Sequence, residues 1–358
     1  MNKKAIIRNV ILVLAILILL IVLLVNLGDI KSIWNVLKNA NGWIILLAVG
    51  FLLLYAIFNQ ISLMVLVKHR YKEIKFVDNY TISGSEYFFN AITPFSSGGQ
   101  PFQAYALKRK GMGLANSTSS LLINFISYQV CLNIITVVFL ILYYNNVKEQ
   151  ISSYIWLLII GFVINLIVML LLLSIGIIKP VGNLFIKLFD LICKIKPLRR
   201  FQNKHDRVVS YVNNMQEAFK EISKSIKIWI IVIVSKVLAF LVYYSMPFIA
   251  LYAVGVEIPF SDLPYVMALT AFTMTIAIWV PTPGGAGGVE FAFALLFSPY
   301  IESLGYHDSK NYALAIMLIW RLLTYYLLII YGFVLYLLFE KNDKYKEDNL
   351  LVEEEQTI

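Results

Sequence analysis

The decapeptide TPFSSGGQPF, residues 93–102, packs two prolines and two glycines between an apolar stretch and the basic cluster Lys108, Arg109 and Lys110. A second decapeptide, TPGGAGGVEF at 282–291, aligns with it without a gap and matches at five of ten positions: Thr93, Pro94, Gly98, Gly99 and Phe102 against Thr282, Pro283, Gly287, Gly288 and Phe291. Proline and paired glycines interrupt helices. At membrane depth, broken backbone is tolerated only where protein buries it or a wet cavity faces it. The two stretches are therefore expected to be the tips of interrupted helical elements, provided the rest of the chain is membrane-embedded.

Composition supplies that condition. The 358 residues are 60% hydrophobic and 14% charged, against about 25% charged in a soluble domain. Crossing a hydrocarbon core takes roughly 20 apolar residues, so the chain has room for several spans and none for a large catalytic domain. The basic start, with Lys3, Lys4 and Arg8, resembles a signal peptide, but the apolar run after it is too long and lacks a small-residue cleavage site. It reads as a retained first span. Cys131 and Cys193 have no Cys or His neighbour at metal-ligand spacing, and His69, His205 and His307 are scattered. No metal site and no cofactor is expected. The formal charge of +9 reads as membrane topology rather than as a nucleic-acid surface.

Apolar runs long enough to cross fall near 9–26, 43–67, 114–143, 151–178, 228–254 and 311–339. Lysine and arginine cluster before the first, after the second, before the third and throughout 179–227, whereas the opposite loops hold only Lys31, Lys38, Lys148 and Lys310. By the positive-inside rule, six crossings with both termini in the cytoplasm satisfy this pattern. The remaining segments, 79–107 and 263–300, must each begin and end on one side, as re-entrant hairpins. The first would enter from the cytoplasm and the second from outside, with the decapeptides at their tips. The expected fold is an all-α polytopic membrane protein, six full transmembrane helices plus two re-entrant helical hairpins in an inverted repeat. Residues 1–150 form the first half, 151–340 the second, and 341–358 an acidic cytoplasmic tail. Such repeats build transport sites near the midplane from interrupted helices. Within 179–227, an apolar stripe through Leu184, Leu188 and Leu191 and another through Val208, Val212, Met215 and Phe219 predict amphipathic helices resting on anionic headgroups.

Ionisable residues inside spans are costly and functional by default. Lys236 and Arg321 lie deep in apolar runs, Glu86 in the first hairpin and Glu290 just after the glycines of the second. Glu290 with Arg321 is the expected pair, because burying either alone costs several kcal/mol. The cations suit a lipid phosphate, and the acids suit an amine or a coupling proton, with Glu86 and Glu290 as coupling candidates. The competing reading makes all four a static bolt. Gly98, Gly99, Gly287 and Gly288 are expected to open half-helices whose positive ends favour an anion, with Ser96, Ser97 and Gln100 adding hydrogen bonds. Tyr128, Asn124 and Gln129 are candidate cavity residues. There is no phosphate-binding loop for ATP.

The stretches FNAITPFSSGGQPFQAYALKRKG, VPTPGGAGGVE and IWRLLTYYLLIIYG together resemble the transmembrane region of the lysylphosphatidylglycerol synthase family, the flippase-like integral membrane proteins. The resemblance covers nearly the whole chain. It implies movement of a phosphate-containing, aminoacylated lipid such as lysyl-phosphatidylglycerol between leaflets of the bacterial plasma membrane, and with it resistance to cationic antimicrobial peptides. Carried onto this sequence, it favours Pro94, Ser96, Ser97, Gly98, Gly99 and Gln100, then Pro281, Pro283, Gly284, Gly285, Gly287 and Glu290, and Arg321. The family's cytosolic synthase domain has no counterpart in the sequence, so phosphatidylglycerol lysyl transfer from charged tRNA is the alternative rather than the leading reading. A membrane phospholipid is the expected partner, with a separate synthase a further one. A non-transporting membrane scaffold is the third reading.

Overall fold

A computed structural model gives the fold. It describes residues 30–93, 96–194, 202, 205–277, 280 and 282–356, the last thirteen of them by backbone alone. The expected span at 9–26 and the tip residues Pro94 and Pro281 lie outside the described residues. Among the described residues the chain is helical, with no strand.

In chain order the helices are α1 (Ile30–Lys38), α2 (Gly42–Arg70), α3 (Phe76–Gly84), α4 (Glu86–Ala91), α5 (Gly99–Arg109), α6 (Leu114–Gln150) and α7 (Ile155–Ile177). After these come α8 (Lys179–Cys193), α9 (His205–Ser223), α10 (Ile226–Ala253), α11 (Leu263–Ala277), α12 (Gly288–Ser303), α13 (Ser309–Arg321) and α14 (Leu328–Gln356). Among the described residues, six helical segments are long and apolar enough to cross a membrane: Gly42–Arg70, Leu114–Gln150, Ser152–Ile177, Ile226–Ala253, Phe260–Ala277 and Ser309–Asp343. The chain is a multi-pass membrane protein. Five of the six coincide with expected spans. The remaining one, Phe260–Ala277, belongs to the stretch that the charge pattern assigns to the second hairpin.

Local chemistry sets the helix ends. The Asn41 side chain accepts from the N–H groups of Trp43 and Ile44 at 3.0 and 3.4 Å, capping α2, and Lys68, His69 and Arg70 complement its C-terminal dipole. Each decapeptide interrupts a helical pair. The α3–α4 arm turns at Gly84 and Ser85, breaks after Ala91 and resumes as α5; Phe89 and Phe102 stack across the break with centroids 4.0 Å apart. The α11 arm breaks after Ala277 and resumes as α12, and these two arms pack on one another.

Contacts between the halves follow a pattern. Helix α2 lies along α10 in an extensive interface, α3 and α4 pack on α14, and α11 packs on α6. Gly332 makes the α14 contact possible, since a Cβ there would fall 2.6 Å from the backbone nitrogen of Phe88. The deepest apolar packing surrounds the second pair of arms, where Phe293 and Phe297 stack at 3.9 Å beside Trp320 and Phe272. At the far end of α5, Lys110 bonds Asp78 at 3.2 Å and Asp343 at 2.6 Å, and Arg109 bonds Glu340 at 3.0 Å and also Asp343. This cluster ties α3 and α5 to α14, whose helical backbone runs on to Gln356.

The two amphipathic stretches behave differently. On α8, Leu184, Leu188 and Leu191 are exposed, as a helix lying in the interface requires. On α9, Val212, Met215 and Phe219 are buried against Ile123, Ile126 and Ile175 of the spans. Periodicity announces an apolar face without naming its partner, and for α9 that partner is protein.

Candidate functional site

Between the two broken-helix pairs lies a cavity of about 230 Å³. Its wall draws on α2, α4, α6, α10, both tips and α13 with the turn after it. Lys236 and Arg321 are the cations on that wall. Among the described residues no Asp or Glu lines it, and tyrosines dominate the rest: Tyr55, Tyr87, Tyr128, Tyr243, Tyr244 and Tyr325.

Arg321 is held rigidly. Its Nε and Nη2 each donate to Glu290 Oε1 at 2.9 Å, and its Nη1 donates to the Gly284 carbonyl at 3.0 Å. The second carboxylate oxygen of Glu290 accepts the Gly287 N–H at 2.6 Å. Both oxygens of Glu290 are thus used inside the protein, and the carboxylate stands behind Arg321 rather than on the cavity wall. Glu290 sits in the first turn of α12, where it also complements the helix dipole. The second tip needs backbone that other residues resist: Gly284, Gly285 and Gly287 have φ of 62°, 66° and 92°.

Lys236 is anchored by a neutral group. Its Nζ donates to Asn59 Oδ1 at 2.7 Å, and Asn59 Nδ2 donates to Glu86 Oε1 and to the Tyr87 hydroxyl, both at 2.9 Å. Gln103 Nε2 donates to the other Glu86 oxygen at 3.3 Å. Lysine and glutamate are therefore joined through an amide instead of directly, and Glu86, like Glu290, stands behind the wall.

A π-helical turn at Leu322–Leu327 follows Arg321. Such turns re-aim side chains and recur at functional sites. Here the turn places Tyr325 between the two tips: its ring packs on Gly284, its hydroxyl donates to the Ala91 carbonyl at 3.2 Å, and the Arg321 guanidinium lies 5.1 Å from its centroid.

Of the residues singled out from sequence, Ser96, Gly284, Gly285, Lys236 and Arg321 line the cavity, as do Thr282 and Tyr128. Ser97, Gly98, Gly99, Gln100, Gly287 and Gly288 are not on its wall. The N–H groups of Gly98 and Gly99 go to Thr93 Oγ1 and Asn90 Oδ1, each at 2.8 Å, so the opening of α5 is capped from within. Asn124 accepts from Ser62, away from the wall. Sequence reasoning passed over Asn59, Tyr243, Tyr244 and Tyr325. Signals for them existed: Asn59, with Gln60 after it, interrupts an apolar run with amides, and Tyr243 and Tyr244 follow Lys236 by seven and eight residues, on the same helical face.

A sequence model of one family, described as the lysylphosphatidylglycerol synthase TM region, matches residues 10–332. No curated protein matches the chain.

Proposed function

The chain belongs to the lysylphosphatidylglycerol synthase TM-region family, and from that premise we propose that it moves a phosphate-bearing lipid headgroup between the leaflets of the bacterial plasma membrane. The observation that carries the reading is the central cavity lined by Lys236 and Arg321, with their carboxylates, Glu86 and Glu290, set behind the wall among the described residues. Buried cations facing a cavity are costly unless an anion or water meets them. Arg321, pre-oriented by Glu290 and the Gly284 carbonyl, takes phosphate oxygens in a fixed fork. Lys236 supplies a second, mobile charge, and acyl chains stay in the bilayer.

In this reading the segments 79–107 and 263–300 are re-entrant hairpins entering from the cytoplasm and from outside, and both termini are cytoplasmic. The two halves, 1–150 and 151–340, form an inverted repeat. Support comes from matched contacts: α2 pairs with its counterpart α10, while the first arm of each hairpin packs on the last long helix of the opposite half. Rocking of the halves about α2 and α10 gives alternating access. Glu86, two hydrogen bonds from Lys236 through Asn59, is the residue placed to exchange a coupling proton. Lysyl transfer from tRNA is less well supported, since the longest stretch between spans is two helices and one of them is spent packing on the bundle.

The test is reconstitution of the full chain into vesicles containing phosphatidylglycerol and lysyl-phosphatidylglycerol, with headgroup exposure followed over time. Lys236→Met is expected to slow movement at least tenfold, on the order of one charge-assisted hydrogen bond, while the protein still folds. Lipid movement no faster than in protein-free vesicles would refute transport.

A further inference from the structure

We infer that the headgroup this cavity accepts is anionic, hydroxyl-bearing and free of amines, a phosphoglycerol rather than an aminoacylated or choline headgroup. The inference rests on the translocation reading above and narrows its substrate class.

Charge is the first ground. Arg321 is neutralised from behind by Glu290, but Lys236 donates only to Asn59 among the described residues. Glu86 stands behind Lys236, one amide away, as Glu290 stands behind Arg321, so the charge turned toward the cavity is positive. Both acids that might receive an amine are committed elsewhere: Glu290 to Arg321 and Gly287, Glu86 to Asn59 and Gln103. The tip residues outside the described set, Pro94, Phe95, Ile278, Trp279 and Pro281, include no acid. An aminoacyl group entering here would bring ammonium charge against two cations with no acceptor carboxylate.

Hydrogen-bonding capacity is the second ground. Tyr244 lines the cavity and is 1% exposed, and its hydroxyl has no partner among the described residues. The neighbouring Tyr243 hydroxyl faces the thioether of Met274, at 3.8 Å, and the side chain of Thr324, and sulfur is a weak acceptor. A buried hydroxyl without a partner costs free energy. The Tyr244 phenol is a donor waiting for oxygen, with Tyr243 beside it on the helix that carries Lys236. Phosphate oxygens on Lys236 and Arg321, with glycerol hydroxyls on Tyr243 and Tyr244, satisfy both grounds together. An aromatic cage for choline also uses tyrosine faces, but it does not place two cations beside the quaternary amine.

The experiment reconstitutes the full chain in separate vesicle preparations carrying phosphatidylglycerol, lysyl-phosphatidylglycerol or phosphatidylcholine. Outer-leaflet headgroups are read by periodate cleavage of the glycerol diol, an impermeant amine reagent and externally added phospholipase D, respectively. Phosphatidylglycerol should move at least tenfold faster than either of the others. Tyr244→Phe should slow it about fivefold, the worth of one neutral hydrogen bond, with the unfolding midpoint unchanged. If that variant does not fold, Tyr243→Phe is read in its place. Lysyl-phosphatidylglycerol or phosphatidylcholine moving as fast as phosphatidylglycerol would overturn the inference and leave translocation standing, as would full activity in the phenylalanine variant. Movement of none of the three would overturn both.

Discussion

The pair of Glu290 and Arg321 is the sharpest place to test the geometry by its energetics. The two side chains are 1% and 6% exposed. Three guanidinium N–H groups are used, two on Glu290 Oε1 and one on the Gly284 carbonyl, and Glu290 Oε2 takes the Gly287 N–H. Glu290→Gln keeps the shape but leaves the arginine charge buried with a neutral partner, and its amide cannot accept at both former oxygen positions. Breaking a buried pair from one side costs about 3–5 kcal/mol, most of it the charge left behind. Arg321→Met should cost about the same, for the stranded carboxylate. Combining the two substitutions removes both charges. The double variant should then be no less stable than either single one, so the coupling energy should be at least one single cost, about 3–5 kcal/mol. Equilibrium unfolding by a denaturing detergent titrated into mixed micelles gives all four corners of the cycle. Single-variant costs that add to within about 0.5 kcal/mol would show that the pair is solvated in the working protein, and the description of a sealed clamp behind the cavity would be wrong.

Two further outcomes follow from particular positions. Gly284→Ala and Gly285→Ala both force a side chain to φ near +60°, for about 1–2 kcal/mol, but only at Gly284 does the new Cβ overlap the Tyr325 ring, while Gly285 meets Val289 at 3.2 Å. Gly284→Ala should therefore be the costlier by about 1–3 kcal/mol of overpacking in the same titration, and equal costs would deny the contact between tip and π-turn. Single cysteines at Lys75 and at Asp262, at the bases of the first and second hairpins, should react with an impermeant thiol reagent from opposite faces of the membrane. Labelling of both from one face would end the inverted-repeat reading.

Much of this architecture is written along the chain, because the bilayer tests hydrophobic length segment by segment. The runs that became α2, α6, α7, α10 and the last long helix are visible in composition alone, and so are the breaks at Pro94 and at Gly284 to Gly288, where backbone chemistry forbids a continuous helix. The pairing of Glu290 with Arg321 was legible too, since an unpaired charge at that depth is expensive. What the sequence left open is rotation. Spans that are apolar all round have no face that periodicity can identify, so only packing brings Asn59, Tyr87 and Tyr244 to the same cavity as Lys236. Packing likewise turns the acids to the back of the wall, caps the Gly98 and Gly99 amides with Thr93 and Asn90, and buries the α9 stripe against the spans instead of lipid. Hydropathy is a property of each segment by itself, whereas the direction a side chain takes inside a bundle is settled by every helix that touches it.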